Sequence, residues 1–209
     1  MYEFSELGWI KHVIFHPVEG FEDLRWKKRG SLKYAFIIVG LLFIAMVASE
    51  RLKGFQYTTE PQKLFNIVPI IVQSIVYFAT WVVGNWSICT LLDGEGTMKK
   101  VCVNSAYALV PFIFGTYISV FLSNFMTLDE SVWVYIFQYV GIGWSVILMI
   151  QGMRAVHQYS FSKTILSMIL TIVAMLIILF LAVLLISLFQ QVYAFFYQVY
   201  TEITYRVRG

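Results

Sequence analysis

Five stretches of this chain contain no Asp, Glu, Lys or Arg: residues 34–49, 64–92, 101–128, 131–153 and 164–201. A helix rising about 1.5 Å per residue needs about 20 apolar residues to cross a hydrocarbon core of about 30 Å. Every run but the first exceeds that length. In hydrocarbon a helix satisfies its own backbone hydrogen bonds, which an open, irregular chain cannot do. The chain therefore reads as an all-α polytopic membrane protein: a bundle of five transmembrane helices with an N-terminal interfacial helix and a C-terminal aromatic extracytoplasmic helix. Composition agrees, with 59% hydrophobic and only 13% charged residues, against about a quarter charged in soluble domains.

The first run is short and needs Lys33 and Glu50 to snorkel out of the core. The second span, about 66–92, carries Pro69 near its start, where a missing donor is tolerated. The third, roughly 105–124, has Pro111 in its first two turns, which predicts a kink. The fourth runs about 132–153 and the fifth about 164–188. The fifth charge-free run exceeds one crossing, so its aromatic tail must leave the core. Three parts follow: an interfacial and basic segment over 1–32, a five-span domain over 33–189, and an aromatic tail over 190–209.

Orientation follows from Lys and Arg in the short loops. One side holds Lys11, Arg25, Lys27, Lys28, Arg29, Lys33, Lys99, Lys100, Arg154 and Lys163; the other holds Arg51, Lys53, Lys63, Arg206 and Arg208. The amino terminus is predicted cytoplasmic and, after an odd number of crossings, the carboxyl terminus extracytoplasmic, in a multi-pass protein of the cell membrane. No cleaved signal peptide is expected, because the polar or mixed stretch ahead of the first apolar run is longer than a normal n-region. Cys89 and Cys102 have no metal or redox spacing and read as small packing residues.

Outside the spans, Phe4, Leu7, Ile10 and Ile14 recur at helical spacing before Pro17 ends the pattern. This predicts a helix in the membrane interface with Trp9 as headgroup anchor, or the same helix packed on the protein's own loops. Arg25, Trp26, Lys27, Lys28 and Arg29 form a basic cluster that sets topology or meets anionic lipid or a partner. Tyr193, Phe196, Tyr197 and Tyr200 form an aromatic row on the tail, suited to lipid anchoring or to a protein partner.

Chemistry is sparse. No ionisable residue lies inside a predicted span, whereas coupled transporters usually carry one. Neutral polar residues do occur there, and Gln73, Asn85, Gln138 and Gln151 either line a polar path or join helices by hydrogen bonds. Gly115, Ser119 and Ser123 on one span and Gly141 and Ser145 on the next have the spacing of close helix packing. His12 and His16 are four apart but do not enclose a glutamate, so no zinc site is expected. The loop Asp93-Gly94-Glu95-Gly96-Thr97-Met98-Lys99-Lys100 lacks the spacing and ending of a phosphate loop and reads as a tight turn. No catalytic residues, metal or cofactor are expected, and the chain does not read as an enzyme.

A segment containing proline before the first span, five spans, the loop from Leu92 to Thr97, and Tyr107-Ala108-Leu109-Val110-Pro111 opening the third span form a pattern. The chain resembles the Yip-domain family of Ypt/Rab-interacting membrane proteins, most closely its bacterial branch, over about residues 16–188. On that resemblance Asp93, Gly94, Gly96, Tyr107 and Pro111 are the motif and structural positions. The Asp-Leu-Tyr-Gly-Pro motif of eukaryotic members is replaced by Glu22-Asp23-Leu24-Arg25-Trp26, which argues against Rab binding and vesicle budding. The resemblance implies a non-enzymatic adaptor whose partners are the lipid bilayer and other membrane proteins, such as subunits of a sugar ABC-type importer, or a second copy; no nucleic acid is expected. The competing expectation is a small transporter or lipid-handling protein with a neutral polar cavity.

Overall fold

The computed structural model describes residues 6–26, 30–58 and 66–208. Two short helices, α1 (Glu6–Phe15) and α2 (Pro17–Trp26), precede α3 (Leu32–Arg51). The second crossing is built of α4 (Ile67–Ile71), a π-helical turn (Val72–Val76) and α5 (Tyr77–Leu91). The third is α6 (Met98–Ala108) followed by α7 (Val110–Ser123), the fourth is α8 (Ser131–His157), and the last is α9 (Phe161–Arg208). Five helical stretches are long and apolar enough to cross a membrane: Leu32–Arg51, Ile67–Leu91, Met98–Ser123, Leu128–His157 and Phe161–Val207. The protein is thus an all-α polytopic bundle, as the charge-free runs require.

Proline sets two features that the apolar runs do not. Pro17 starts α2 instead of merely ending α1, because a first-turn proline has no intrahelical donor to lose. Pro111 follows the break between α6 and α7 and has no amide hydrogen to give, and the Phe112 amide beside it donates to Ser145 Oγ of α8 at 2.9 Å. The third crossing begins at Met98 rather than near residue 105, because Thr97 caps it by accepting from the Lys100 amide at 3.5 Å.

Among the described residues, α7 and α8 share the most extensive helix contact. A Cβ on Gly115 would stand 2.7 Å from the Phe137 carbonyl and 3.2 Å from Gly141 Cα. Only a hydrogen fits in that gap, which is how small residues let two backbones approach. Ser119, Ser123 and Ser145 are buried alongside. At the end of the bundle away from α1 and α2, the Gly54 amide donates to Ser123 Oγ at 2.9 Å and Asn124 Nδ2 donates to the Leu52 carbonyl at 2.8 Å. At the other end, α1 and α2 fold back onto α6 and α8. Trp9 and Val13 of α1 and Phe21 and Leu24 of α2 join the main core, with Phe21 against Gly152.

α9 departs from this compactness. Its first turns pack on α5, but it continues without a break for 48 residues. At about 1.5 Å per residue that is about 72 Å, more than twice the hydrocarbon thickness. The aromatic tail expected beyond the fifth span is therefore not a separate element but the free end of the same helix.

Candidate functional site

The motif loop lies where α2, α5, α6 and the end of α8 converge. After α5, Asp93 adopts a left-handed conformation (φ 58), which turns the chain back toward α6. The turn lies so close to α8 that Gly94 and Gly96 have no room for a side chain. A Cβ on Gly94 would lie 2.6 Å from both His157 Nδ1 and Tyr159 Oη; one on Gly96 would meet Val156 Cγ1 and stand 2.5 Å from His157 Cε1. These glycines thus serve close approach rather than the positive φ expected of a tight turn.

Beneath the loop, polar groups are linked from α5 through α8 to α9. Thr171 Oγ1 donates to the Ser167 carbonyl at 2.7 Å and can therefore accept from Asn85 Nδ2 at 3.2 Å. Asn85 Oδ1 then faces His157 Nε2 at 3.2 Å and accepts from it, which places the imidazole hydrogen on Nε2. Cys89 Sγ also points at Asn85 Oδ1, at 3.8 Å. His157 is 2% exposed, and its Nδ1, turned to the glycines, has no partner among the described residues. After α8, Gln158 adopts the left-handed region (φ 57) and directs Tyr159 inward, where its hydroxyl lies 3.0 Å from both the Cys89 and Leu92 carbonyls. Burial, above all, pushes the Tyr159 phenol up from 10.0 to about 12. On the outside of the loop, Arg25 of α2 pairs with Glu95 at 2.5 Å and donates to the Ala155 carbonyl at 2.9 Å.

Of the positions singled out from sequence, Asp93, Gly94, Gly96, Arg25 and Asn85 meet at this end. Tyr107 is fully buried in the core below it, and Pro111 sits at the α6–α7 break. Among the described residues the four neutral polar residues lie in separate places. Asn85 is enclosed in the network above; Gln138 donates to Thr116 Oγ1 at 3.2 Å between α8 and α7; Gln73 is exposed on the π turn; Gln151 borders a small polar recess beside Glu22 and Arg154. Trp9, expected as a headgroup anchor, is 2% exposed and faces inward, because α1 packs its apolar face on the bundle. Trp26 is exposed, with the Arg25 guanidinium 5.5 Å over its ring. Lys27, Lys28 and Arg29 lie outside the described residues.

Tyr193, Phe196, Tyr197 and Tyr200 are each at least 60% exposed on the free end of α9. The residues that sequence reasoning missed are His157, Tyr159 and Cys89 as members of one network. The contacts that tie His157 and Tyr159 to Asn85, Cys89 and Leu92 span about 70 positions of the chain, which leaves no local signal. Among the described residues no group of three or more His, Cys, Asp and Glu is placed to hold a metal ion.

Comparison with protein families matches residues 11–199 to the Yip1 domain. No curated protein and no solved structure matches the chain.

Proposed function

This chain belongs to the Yip1 domain family of membrane proteins, and from that premise we propose that it is a non-enzymatic adaptor that docks onto a larger membrane assembly. The observation that carries this reading is the far end of α9, a single helix of 48 residues whose first turns pack on α5 and whose end is exposed among the described residues. Its length of about 72 Å leaves a row of large apolar side chains without cover beyond the bilayer's thickness. Tyr193, Phe196, Tyr197 and Tyr200 stand on that end, and an exposed aromatic row of this length marks an interaction surface. Some bacterial members resemble companions of sugar-import systems, which makes an ABC-type importer the first assembly to test.

In this reading the basic segment over 1–32 faces the cytoplasm, the five-span domain over 33–189 holds it in the cell membrane, and the tail over 190–209 meets its partner on the far side. The excess of Lys and Arg on the side of Arg25, Lys99 and Arg154 supports that orientation. Purification in mild detergent should recover a defined membrane complex, and replacing the four tail aromatics with serine should release it. Recovery of a lone monomer under several conditions would overturn the proposal. Single cysteines engineered at Glu22 and Glu202 should label from opposite sides of the membrane; labelling from one side would reject the orientation alone.

A further inference from the structure

Two recesses flank the first turn of α6. The first is a cavity of about 220 Å³ between α6 and α2, lined among others by Arg25, Thr97, Lys99, Lys100 and Asn104. The second is an apolar groove of about 640 Å³ between α3 and α5, lined by Leu32, Phe36, Gly40, Phe78 and Cys102 together with Lys99. Lys99 belongs to both.

The cavity is built for an anion. Arg25 is balanced by Glu95, but among the described residues Lys99 and Lys100 make no ion pair and no carboxylate lines the cavity. The start of α6 adds the unpaired amides and positive dipole end of a helix N-terminus. Independently of these, Asn104 is 4% exposed, and its side chain borders the cavity and makes no hydrogen bond to another described residue. An amide opening only onto the cavity is free to bond a ligand oxygen there, and little bulk water would compete for it.

The groove is built for hydrocarbon. Its walls belong to membrane-spanning helices, and almost all its lining is apolar. A lysine shared by an apolar groove and a cationic cavity suits both, since its stem is hydrocarbon and its end an ammonium.

We propose that the two recesses form one site for an anionic glycerophospholipid, with the phosphate among Lys99, Lys100 and Asn104 and an acyl chain in the groove beside Gly40. The unbalanced lysines favour a headgroup of net negative charge over a zwitterionic one. The site is independent of any protein partner.

The test is native mass spectrometry of the full chain given equal phosphatidylglycerol and phosphatidylcholine with the same acyl chains. The wild type should retain the anionic lipid in preference to the zwitterionic one. Asn104→Leu leaves net charge unchanged and should weaken anionic-lipid retention about tenfold, the loss of one hydrogen bond to a charged group. Gly40→Leu should weaken retention of both lipids about tenfold by filling the groove. A Cβ at Gly40 meets nothing within 4 Å, so the added side chain starts from open space, and an unchanged thermal melt in detergent checks that this variant is folded. Equal retention of the two lipids by the wild type, or wild-type behaviour of both variants, would overturn the proposal. So would a preference abolished by changing Lys27, Lys28 and Arg29 to glutamine but untouched by Asn104→Leu, which would assign it to diffuse surface charge. Binding of inorganic phosphate that displaces the lipid and survives unaltered in Gly40→Leu would assign the cavity to free phosphate, and would overturn it as well.

Discussion

Asn85 Oδ1 lies 3.2 Å from Nε2 of His157, joining the second crossing to the fourth at the level of the motif loop. Because Asn85 also donates to Thr171 of α9, one amide holds three helices in register. Its position matters more than its strength.

Asn85→Leu should destabilise the bundle by about 1–2 kcal/mol, between the ~0.6 kcal/mol mean of hydrogen bonds within bilayers and the ~3 kcal/mol upper end for a buried orphan. The orphan here is His157 Nε2. Adding His157→Leu should cost less than the two single changes summed, since the orphan disappears. Unfolding in mixed micelles, read as a double-mutant cycle, provides the check; strict additivity would mean that the two side chains do not act on each other.

Gly96→Ala and Gly40→Ala should move stability in opposite directions. The first pushes a methyl into Val156 and His157 and should cost about 1–3 kcal/mol, the usual penalty of overpacking. The second adds a methyl in open space within α3 and should gain about 0.5–1 kcal/mol, the difference between glycine and alanine inside a helix. Thermal unfolding of the two variants in one detergent makes the comparison.

Gly115→Val should damage the membrane domain severely. It drives branched carbons into the Phe137 carbonyl and Gly141 and forces α7 from α8. A loss of about 3 kcal/mol or more is expected, at the severe end of overpacking. A substituted protein that elutes and melts like wild type would show that this contact is dispensable.

Tyr159 should ionise late. Its phenol is held neutral by burial, with a folded value of about 12 against 10.0 for the free side chain. The folded-state value is raised, so the stabilisation is complete below about pH 10 and is lost as pH rises toward about 12. A difference titration of wild type minus Tyr159→Phe, followed by phenolate absorbance, should show one group ionising near pH 12; ionisation near pH 10 would place that hydroxyl in water.

The charge-free runs determined the five crossings, because hydrocarbon leaves a charged or unpaired group few alternatives to a helix. The spacing of Gly115, Ser119, Gly141 and Ser145 likewise marked faces suited to close packing, since one helix face is periodic in sequence, but that these faces meet each other between α7 and α8 was decided by the fold. Periodicity carries no such information about what lies on the other side of a face. Trp9 looks amphipathic-helical whether it meets lipid or protein, and only the docking of α1 on the bundle decided that it is buried. Gly94 and Gly96 read as turn residues, yet their need is set by His157 and Tyr159, two crossings further along the chain. The polar network and the two recesses beside α6 exist only where distant helices converge, and that convergence is fixed by packing volumes and not by any local pattern.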